Sequence, residues 1–425
     1  MSAPILQTVR TGFTRSFWVA NTLELFERFS YYASKAVLTV YLAESIGFTT
    51  TQATFYASSV FNTLIYFLPA FAGTFVDRYG FRRSLMACFS IFSLGYLMIA
   101  LGGLPAAQPL VGLVGAKVWT VAGLIVAAIG GSLIKPSIVG TCARTTTPET
   151  KALGYSIYYS IVNIGGMLGP TLSVPIQEHL GVAYVLVVAS ATSAVLCAAA
   201  ALFFVEPPQP ADMVPSTSMG QVLRGMLQAL SNVRFVAFLV IFSGFWMMFW
   251  QIFESLPFYL KDALHYERYP LVQSVGPWTV ILATMPAAAL ARRLPAIGAM
   301  TLGFAVSSTS WFVMALVPTV EGAMAGVAIM SLGEAIQAPR YYEYVADLAP
   351  REQVATYMGI AFLPIAIGTF GAGLIAGRLV EAYAHAPQPS HMWFVIGGIG
   401  VVSTILMVVY DRFIAPRGRA GAATA

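Results

Sequence analysis

Four charged residues stand close together in a stretch whose flanking sequence is apolar enough to cross a membrane: Glu24, Glu27, Arg28 and Lys35. An ionised side chain at the centre of a bilayer costs about 2.5 to 3.5 kcal/mol on insertion scales, so such residues normally face protein or a water-filled path. At about 100° per residue, Arg28, Tyr31 and Lys35 lie within roughly 40° of the direction of Glu24 on one helix. A helix that only anchored the chain would have no use for this stripe.

Lys135 is a candidate partner for the two carboxylates. It lies about 7 to 10 residues from one end of the apolar segment 118–142, and Glu24 and Glu27 lie at a similar depth in the segment 17–42. A carboxylate beside a lysine stays ionised, and loss of that cation to a substrate anion favours the protonated form. The arrangement therefore suits proton coupling. The alternative interpretation is a lysine that snorkels to the interface.

Lys35 has its own candidate partner in Glu254, which lies in the apolar segment 234–260. Each residue is about 18 to 20 positions from the start of its segment, which places both side chains at a similar depth. A pair that joins two parts of the molecule would close an external entrance when it is made and open it when broken. The alternative is an acid at the outer end of a segment that faces headgroups.

Further polar residues lie in later apolar segments. Asn163 stands among small residues, where it predicts either a ligand contact or a hydrogen bond between helices. Glu334 lies near the middle of its segment, where an isolated carboxylate needs a partner or a purpose. Tyr341 shares its helix face and is expected to line a cavity, whereas Arg340 and Glu343 predict a structural ion pair. This mixture suits a polar or zwitterionic ligand.

The composition indicates that these polar residues belong to a membrane protein. Of 425 residues, 58% are hydrophobic and only 10% are charged, and the mean hydropathy is +0.75. A soluble domain averages about 25% charged residues, so most of this surface does not face water. The net charge of +5 is expected from cytoplasmic Lys and Arg rather than from nucleic-acid binding. The three cysteines lack metal-ligand spacing and are interpreted as packing residues.

Apolar runs divided by charged and Pro/Gly breaks predict twelve membrane spans and an all-α membrane protein. We read the first as a retained helix, since no cleavage site follows it. The longest polar interval, 206–233, separates two groups of six. We therefore expect an N-terminal six-helix bundle at 1–205, a central cytoplasmic loop at 206–233 and a C-terminal six-helix bundle at 234–425. The spans are 17–42, 52–76, 84–102, 118–142, 153–177, 182–205, 234–260, 271–291, 297–317, 322–347, 354–380 and 391–412.

The distribution of Lys and Arg predicts that both termini are cytoplasmic, because cytoplasmic loops carry an excess of these residues. With that orientation the outer loops carry little more than Lys117, Lys261 and Arg268. The inner segments carry Arg10, Arg15, Arg78, Arg82, Arg83, Arg144, Lys151, Arg224, Arg234, Arg292, Arg293, Arg351, Arg412, Arg417 and Arg419.

A short motif joins spans 2 and 3, and it resembles the loop motif of the major facilitator superfamily. Its glycines permit close helix approach and a tight turn, and its Asp and Arg residues are expected to latch the two bundles on the cytoplasmic side. An ordinary positive-inside loop would explain the arginines but not the glycines. With the twelve-span plan, the resemblance implies the major facilitator fold. The motif residues are Gly73, Asp77, Arg78, Gly80, Arg82 and Arg83.

The first span closely resembles the signature of the proton-coupled oligopeptide transporter family, in its twelve-helix form. The matching residues are Glu24-x-x-Glu27-Arg28-Phe29-x-Tyr31-Tyr32. Further similar segments are Ile134-Lys135-Pro136, Gly154-Tyr155-Ser156-Ile157-Tyr158-Tyr159-x-x-x-Asn163-x-Gly165, Phe249-Trp250-x-x-x-Glu254, and Gly333-Glu334-x-x-x-x-Pro339 followed by Leu348-Ala349-Pro350.

The resemblance implies a role for each of these residues. Glu24 and Glu27 would belong to a proton-coupling network with Arg28 and Lys135. The gate would be formed by Lys35 and Glu254. The ligand would be held by Tyr32, Lys35, Asn163 and Glu334, with the residue-based expectation for Tyr341 added to this set.

The sequence departs from the family pattern at several places. Lys35 stands where the family usually carries arginine, and Arg340 and Glu343 are not part of the usual pattern. The interval 206–233 is too short for the two extra helices that bacterial members commonly carry. Gly276 precedes Pro277 in span 8, where the family often has an asparagine, so one ligand-binding amide is missing. This weakens the expectation of oligopeptide as substrate more than the expectation of transport.

Together these features predict a proton-coupled symporter that imports di- or tripeptides or a related small zwitterion. The chain is expected to be a monomer in the plasma or inner membrane, with the proton as coupling ion and no other cofactor. The alternative within the same fold is a proton-coupled exporter of a drug, siderophore or other metabolite. The alternative from another class is a non-transporting membrane receptor or enzyme. An enzyme is not indicated, because no nucleophile–base pair or metal cluster has suitable spacing.

Overall fold

A computed structural model describes residues 9, 11–208, 219–349, 354–384 and 386–415. Within these ranges the secondary structure is helical and contains no strand, as expected for the predicted class. Several residues used above lie outside the described part of the chain: Arg10, Pro350, Arg351, Arg417 and Arg419.

Each predicted span corresponds to one helix or to one broken helix, which confirms the all-helical membrane fold. The spans keep their numbers below. In chain order they are Arg15–Glu44, Thr50–Phe67 with Pro69–Tyr79, Phe81–Gly103, Ala116–Thr145, Lys151–Leu180, Val182–Phe203, Val233–Ala263, Tyr269–Ala291, Ala296–Leu316, Val320–Leu348, Val354–Ile360 with Leu363–Tyr383, and Met392–Phe413.

Prolines account for the breaks in the spans. A proline lacks an N–H group, and its ring displaces the carbonyl four residues earlier. Pro69 follows the 43° bend in span 2, and Pro136 lies four residues after Ser132, where span 4 is interrupted. The interruption in span 4 comes immediately before Lys135.

Hydropathy separates the spans into two kinds. Eight helices in the described ranges are long and apolar enough to cross a membrane by length and composition, and the bent span 2 makes a ninth. Spans 1, 5 and 10 do not meet the same criteria. These are the spans that carry Glu24, Asn163 and Glu334, so the loss of hydropathy coincides with the candidate site.

Two large hydrophobic clusters form the interior. One is built mainly from spans 1 to 6 and includes Phe17, Phe89 and Leu186. The other is built mainly from spans 7 to 12 and includes Phe238 and Trp311. The division at 206–233 remains a prediction, since domain limits are not tested by these clusters alone.

Glycines bring span 5 against span 1. A Cβ atom on Gly165 would lie 2.7 Å from the Cβ of Arg28 and 2.8 Å from the carbonyl oxygen of Leu25. Small residues at such positions let helix backbones approach closely in a membrane. The close packing places the side chains of span 5 beside the charged stripe of span 1.

The interval expected to be a loop contains a helix, Met219–Leu230, which we call the linker helix. Residues 209–218 lie outside the described ranges. Met226 and Ala229 of the linker helix belong to the hydrophobic cluster built mainly from spans 7 to 12. This helix was not predicted, because a twelve-residue amphipathic segment resembles neither a membrane span nor a Gly/Pro-rich loop.

Candidate functional site

The first group of site residues is an ionic cluster formed by Glu24, Glu27, Arg28, Lys135 and Tyr158. The guanidinium of Arg28 donates from both Nε and Nη2 to the carboxylate of Glu27, the second bond measuring 2.7 Å. It also lies 3.5 Å from Oε1 of Glu24. Lys135 Nζ lies 3.6 Å from the same oxygen. The predicted pairing of Lys135 with span 1 is therefore present.

Tyr158 of span 5 bridges this cluster. Its hydroxyl accepts a hydrogen bond from Lys135 Nζ at 2.9 Å and donates one to Glu24 Oε1 at 3.3 Å. Glu24 and Glu27 are buried, whereas the side chain of Lys135 is 27% exposed. Lys135 and the half-buried Tyr158 are thus the members through which the cluster meets accessible space. Glu24 Oε2 is buried without a hydrogen-bond partner among the described residues.

The second group is the ion pair of Lys35 and Glu254, which joins the two halves. Lys35 Nζ donates to Glu254 Oε1 at 2.5 Å, and both side chains are fully buried. Asn62 Nδ2 lies 3.4 Å from the same oxygen, and Lys35 Nζ lies 5.6 Å from the ring centre of Trp250. The pair predicted from the depths of Lys35 and Glu254 is therefore present.

Further contacts join the halves between this pair and the end of the molecule opposite the chain termini. Thr39 of span 1 donates a hydrogen bond of 2.8 Å to the carbonyl of Phe253. The carboxylate of Glu381 accepts bonds of 2.9 and 2.8 Å from the backbone and hydroxyl of Thr51. Ion pairs between the halves are Glu44 with Lys261 and Glu178 with Arg268. The halves are therefore closed together at this end.

The third group is Glu334 and the tyrosines around it. Among the described residues this half-buried carboxylate makes no hydrogen bond or ion pair. Four tyrosines, from both halves of the chain, lie within its electrostatic range: Tyr32, Tyr66, Tyr159 and Tyr342. Tyr159 and Tyr342 are more than a third exposed, so open space adjoins the carboxylate. An unpaired acid among aromatic rings can bind an ammonium group.

Two other predicted ligand residues, Asn163 and Tyr341, donate hydrogen bonds to backbone carbonyls. Asn163 donates to the carbonyl of Tyr159 at 2.9 Å, within its own helix, and is half-buried. Tyr341 is only 4% exposed, and its hydroxyl donates to the carbonyl of Ala361 at 2.7 Å. The prediction that Tyr341 lines a cavity is therefore wrong, because its ring packs in the core against Phe242. Tyr342, one residue later, is the ring near Glu334.

Arg340 and Glu343 form the structural ion pair that was expected. Arg340 Nη1 lies 2.5 Å from Glu343 Oε2, and Arg340 Nη2 donates to the carbonyl of Leu294 at 2.8 Å. The pair thus links span 10 to the connection between spans 8 and 9. It lies outside the group around Glu334.

The loop motif adopts a tight turn but does not latch the halves. Gly80 has a φ of +82°, which a residue with a side chain rarely adopts. The carboxylate of Glu206 accepts hydrogen bonds from the backbone N–H groups of Phe81 and Arg82, at 2.8 and 2.7 Å, and so caps the start of span 3. Asp77 lies within electrostatic range of Arg144 of span 4.

These polar contacts of the motif stay within the N-terminal half and the first residues of the linker, although the helix Pro69–Tyr79 also packs against the linker helix and span 11. The expected latch between bundles is therefore not formed among the described residues. The physical reason is the closure described above, since the contacts between halves are concentrated at the opposite end. Gly73 has open space where a Cβ would stand, which leaves its role as a close-approach glycine unsupported.

Four members of these groups were not predicted from the sequence: Tyr158, Asn62, Tyr66 and Glu206. Tyr158 was visible as one of several tyrosines in span 5, but the sequence does not say which of them faces Lys135. Glu206 stands among prolines and has no motif of its own. In the described ranges, no group of three or more His, Cys, Asp or Glu residues is arranged to hold a metal ion.

The sequence matches a model of the Major Facilitator Superfamily over residues 22–276. A curated relative, dipeptide and tripeptide permease A of Klebsiella pneumoniae (strain 342), is 24% identical, and the match covers 93% of this chain and 91% of the relative.

Two solved structures share the fold. One is described as a POT family transporter in complex with a thioalcohol-conjugated peptide. It has a TM-score of 0.77 at 18% identity and covers 95% of this chain and 97% of its own. The other, a POT family transporter in complex with 5-aminolevulinic acid, has a TM-score of 0.76 at 18% identity over 96% and 98% of the two chains.

Proposed function

The chain belongs to the major facilitator superfamily, and on that basis we propose that it is a proton-coupled symporter that imports dipeptides, tripeptides or a related small zwitterion. It is a multi-pass membrane transporter rather than an enzyme. The proposal places it in the plasma or inner membrane as a monomer with both termini in the cytoplasm. The proton is its coupling ion.

The observation that carries the proposal is the placement of two ionic groups on one helix. Span 1 holds Glu24 against Lys135 and Glu27 against Arg28, and about two to three turns further along the same helix it holds Lys35 against Glu254. Each charge is expensive to bury, so groups that keep them buried indicate function rather than anchoring. Relatives named as dipeptide and tripeptide permeases, matched over nearly their whole length, support the substrate class.

A zwitterion fits the charges of these groups and of Glu334. Glu334 has no cationic partner among the described residues, so it is available for a ligand ammonium. The ammonium groups of Lys35 and Lys135 are available for a ligand carboxylate if their own partners release them. A carboxylate that loses its lysine in this way favours the protonated form. Substrate and proton would then bind together before the halves rock to the other side.

Proton coupling can be tested by uptake into proteoliposomes. We expect an inward proton gradient to drive accumulation of a dipeptide such as dialanine above the external concentration. Glu24→Gln and Glu27→Gln should each reduce this accumulation at least tenfold, because the neutral amide cannot exchange a proton. Both variants should still exchange labelled for unlabelled dipeptide, since counterflow needs no net proton movement.

Glu343→Gln is the matched control, because Glu343 is half exposed in a surface ion pair. It should accumulate dipeptide as the wild-type chain does. Uptake that is indifferent to the imposed proton gradient would contradict coupling. Accumulation of amino acids but not of dipeptides would support proton coupling and would show that the substrate is an amino acid.

A further inference from the structure

The linker helix, Met219–Leu230, has three distinct sectors around its axis. At about 100° per residue, Val222, Met226 and Ala229 lie within roughly 60° of one another. These residues are buried or half-buried against the C-terminal hydrophobic cluster. The polar residues lie on the opposite side of the helix: Gln221, Arg224 and Gln228.

The third sector, between the other two, is apolar; Leu230, at its C-terminal end, is half-buried against the same cluster, and the other three apolar residues of the sector are exposed. Met219, Leu223 and Leu227 recur every four residues, and their exposed fractions are 52, 48 and 62%. Around the helix the order is therefore protein contact, exposed apolar stripe, polar face. A helix packed only on protein would have no reason to place its apolar stripe between the packed and the polar sectors. That order suits a helix lying at a lipid–water boundary beside the protein.

The position of the helix along the chain supports this occupant. Only Ser231 and Asn232 separate it from the start of span 7. Asn232 is fixed, because its Oδ1 accepts from the backbone of Phe235 at 3.3 Å and its Nδ2 donates to Tyr357 at 3.2 Å. The helix therefore stays within one short turn of the membrane boundary. Val233, the first residue of span 7, is 77% exposed and continues the apolar surface.

We propose that the stripe of Met219, Leu223 and Leu227 is a lipid-docking surface, seated at the headgroup–acyl boundary of the leaflet on the side of the chain termini. Arg224 lies beside the stripe on its polar border, where its guanidinium can reach lipid phosphates while its stem covers apolar surface. The linker helix also contacts the end of span 2 in one half and spans 7 and 11 in the other. It is therefore a membrane-anchored strap across both halves.

The surface can be tested by nitroxide labels on the full-length protein in nanodiscs of phosphatidylethanolamine and phosphatidylglycerol. Labels are placed at Leu223→Cys and Leu227→Cys, with Gln228→Cys as the matched control on the polar face. Cys197→Ser removes the half-buried native cysteine, and Cys88 and Cys142 are buried. We expect labels at 223 and 227 to be more accessible to dissolved oxygen than to a water-soluble nickel chelate, and the label at 228 to show the reverse.

Three results would overturn the proposal. Equal access of the nickel chelate to positions 223, 227 and 228 would place the stripe in water. Low access of both reagents at 223 and 227 would mean that another part of the chain covers the stripe. Strong spin–spin broadening in singly labelled protein would identify a second copy of the chain as the occupant. None of these measurements depends on the substrate or on proton coupling.

Discussion

Buried carboxylates in this protein differ in how many of their oxygens form hydrogen bonds or ion pairs. Both oxygens of Glu27 accept hydrogen bonds from Arg28. Glu24 and Glu254 each use Oε1 in ion pairs, and their Oε2 atoms are buried without a hydrogen-bond partner among the described residues. A carboxylate with one free oxygen can accept a proton before its ion pair breaks. Under the coupling proposed above, Glu24 is therefore better placed than Glu27 to take up the proton.

The Lys35–Glu254 pair allows a prediction on stability. Removing one member of a buried pair leaves an uncompensated charge and costs about 3 to 5 kcal/mol. We expect Lys35→Met to lower the free energy of unfolding by that amount, and Glu254→Gln in the same chain to recover most of it. Titration with SDS, followed by tryptophan fluorescence, measures both. Lys151→Met is the control, because Lys151 is exposed at the start of span 5; an equal loss there would contradict the argument.

The ionic contacts could be predicted from the depth of each residue in its span. The face on which a residue lies could not, because it depends on how the helix is rotated about its axis. The rise of a helix is fixed, so Lys35 and Glu254 could be matched from their positions in the sequence. Tyr341 and Tyr342 differ by about 100° around span 10, and one packs in the core while the other lies near Glu334. That choice depends on how span 10 is rotated against its neighbours, which a single sequence does not give.

At the scale of elements, a proline in one half creates a hydrogen-bond acceptor for the other. Pro257 has no N–H to donate, so the carbonyl of Phe253, four residues earlier, loses its usual partner within the helix. Thr39 of span 1 donates to that carbonyl at 2.8 Å. The break in span 7 is thus part of the contact between the halves rather than a local defect.

This arrangement predicts a coupling between two substitutions. Thr39→Val keeps the shape of the side chain but leaves a buried carbonyl without a donor, which costs about 1 to 3 kcal/mol. In a Pro257→Ala background the helix can supply an N–H group, so the same change should cost less than half as much. SDS titration of the four proteins gives the coupling energy. Equal costs in both backgrounds would show that Phe253 does not depend on Thr39.

The twelve spans were predictable because about 20 apolar residues are needed to cross a bilayer. The irregular segments within and between the spans were harder to predict. The π-helical segment Phe55–Asn62 in span 2 leaves no mark on hydropathy, and the linker helix is too short for its pattern to stand out. Packing against spans 2, 7 and 11 stabilises the linker helix, and such tertiary contacts are not written in a local pattern.

At the scale of the molecule, electrostatic contacts hold the halves together at the end opposite the chain termini. The Lys35–Glu254 pair is fully buried, whereas Glu44 with Lys261 and Glu178 with Arg268 lie nearer the surface. Exposed pairs contribute about 0 to 1 kcal/mol each, and a buried pair broken by substitution costs several times more. The buried pair should therefore set whether this end opens, and the outer pairs should adjust how often it does.

That ranking predicts the distances between spin labels on the two halves. With labels at Leu113→Cys and Glu321→Cys in a Cys197→Ser chain, we expect Lys261→Gln with Arg268→Gln to raise the population with a long distance by up to about thirtyfold. The two pairs together contribute at most about 2 kcal/mol, and 1.4 kcal/mol corresponds to a factor of ten. Lys35→Met should raise it further. Arg340→Gln is the control, because its ion pair lies within one span. If the outer pair of substitutions opens this end more than Lys35→Met does, the buried pair is not the principal lock.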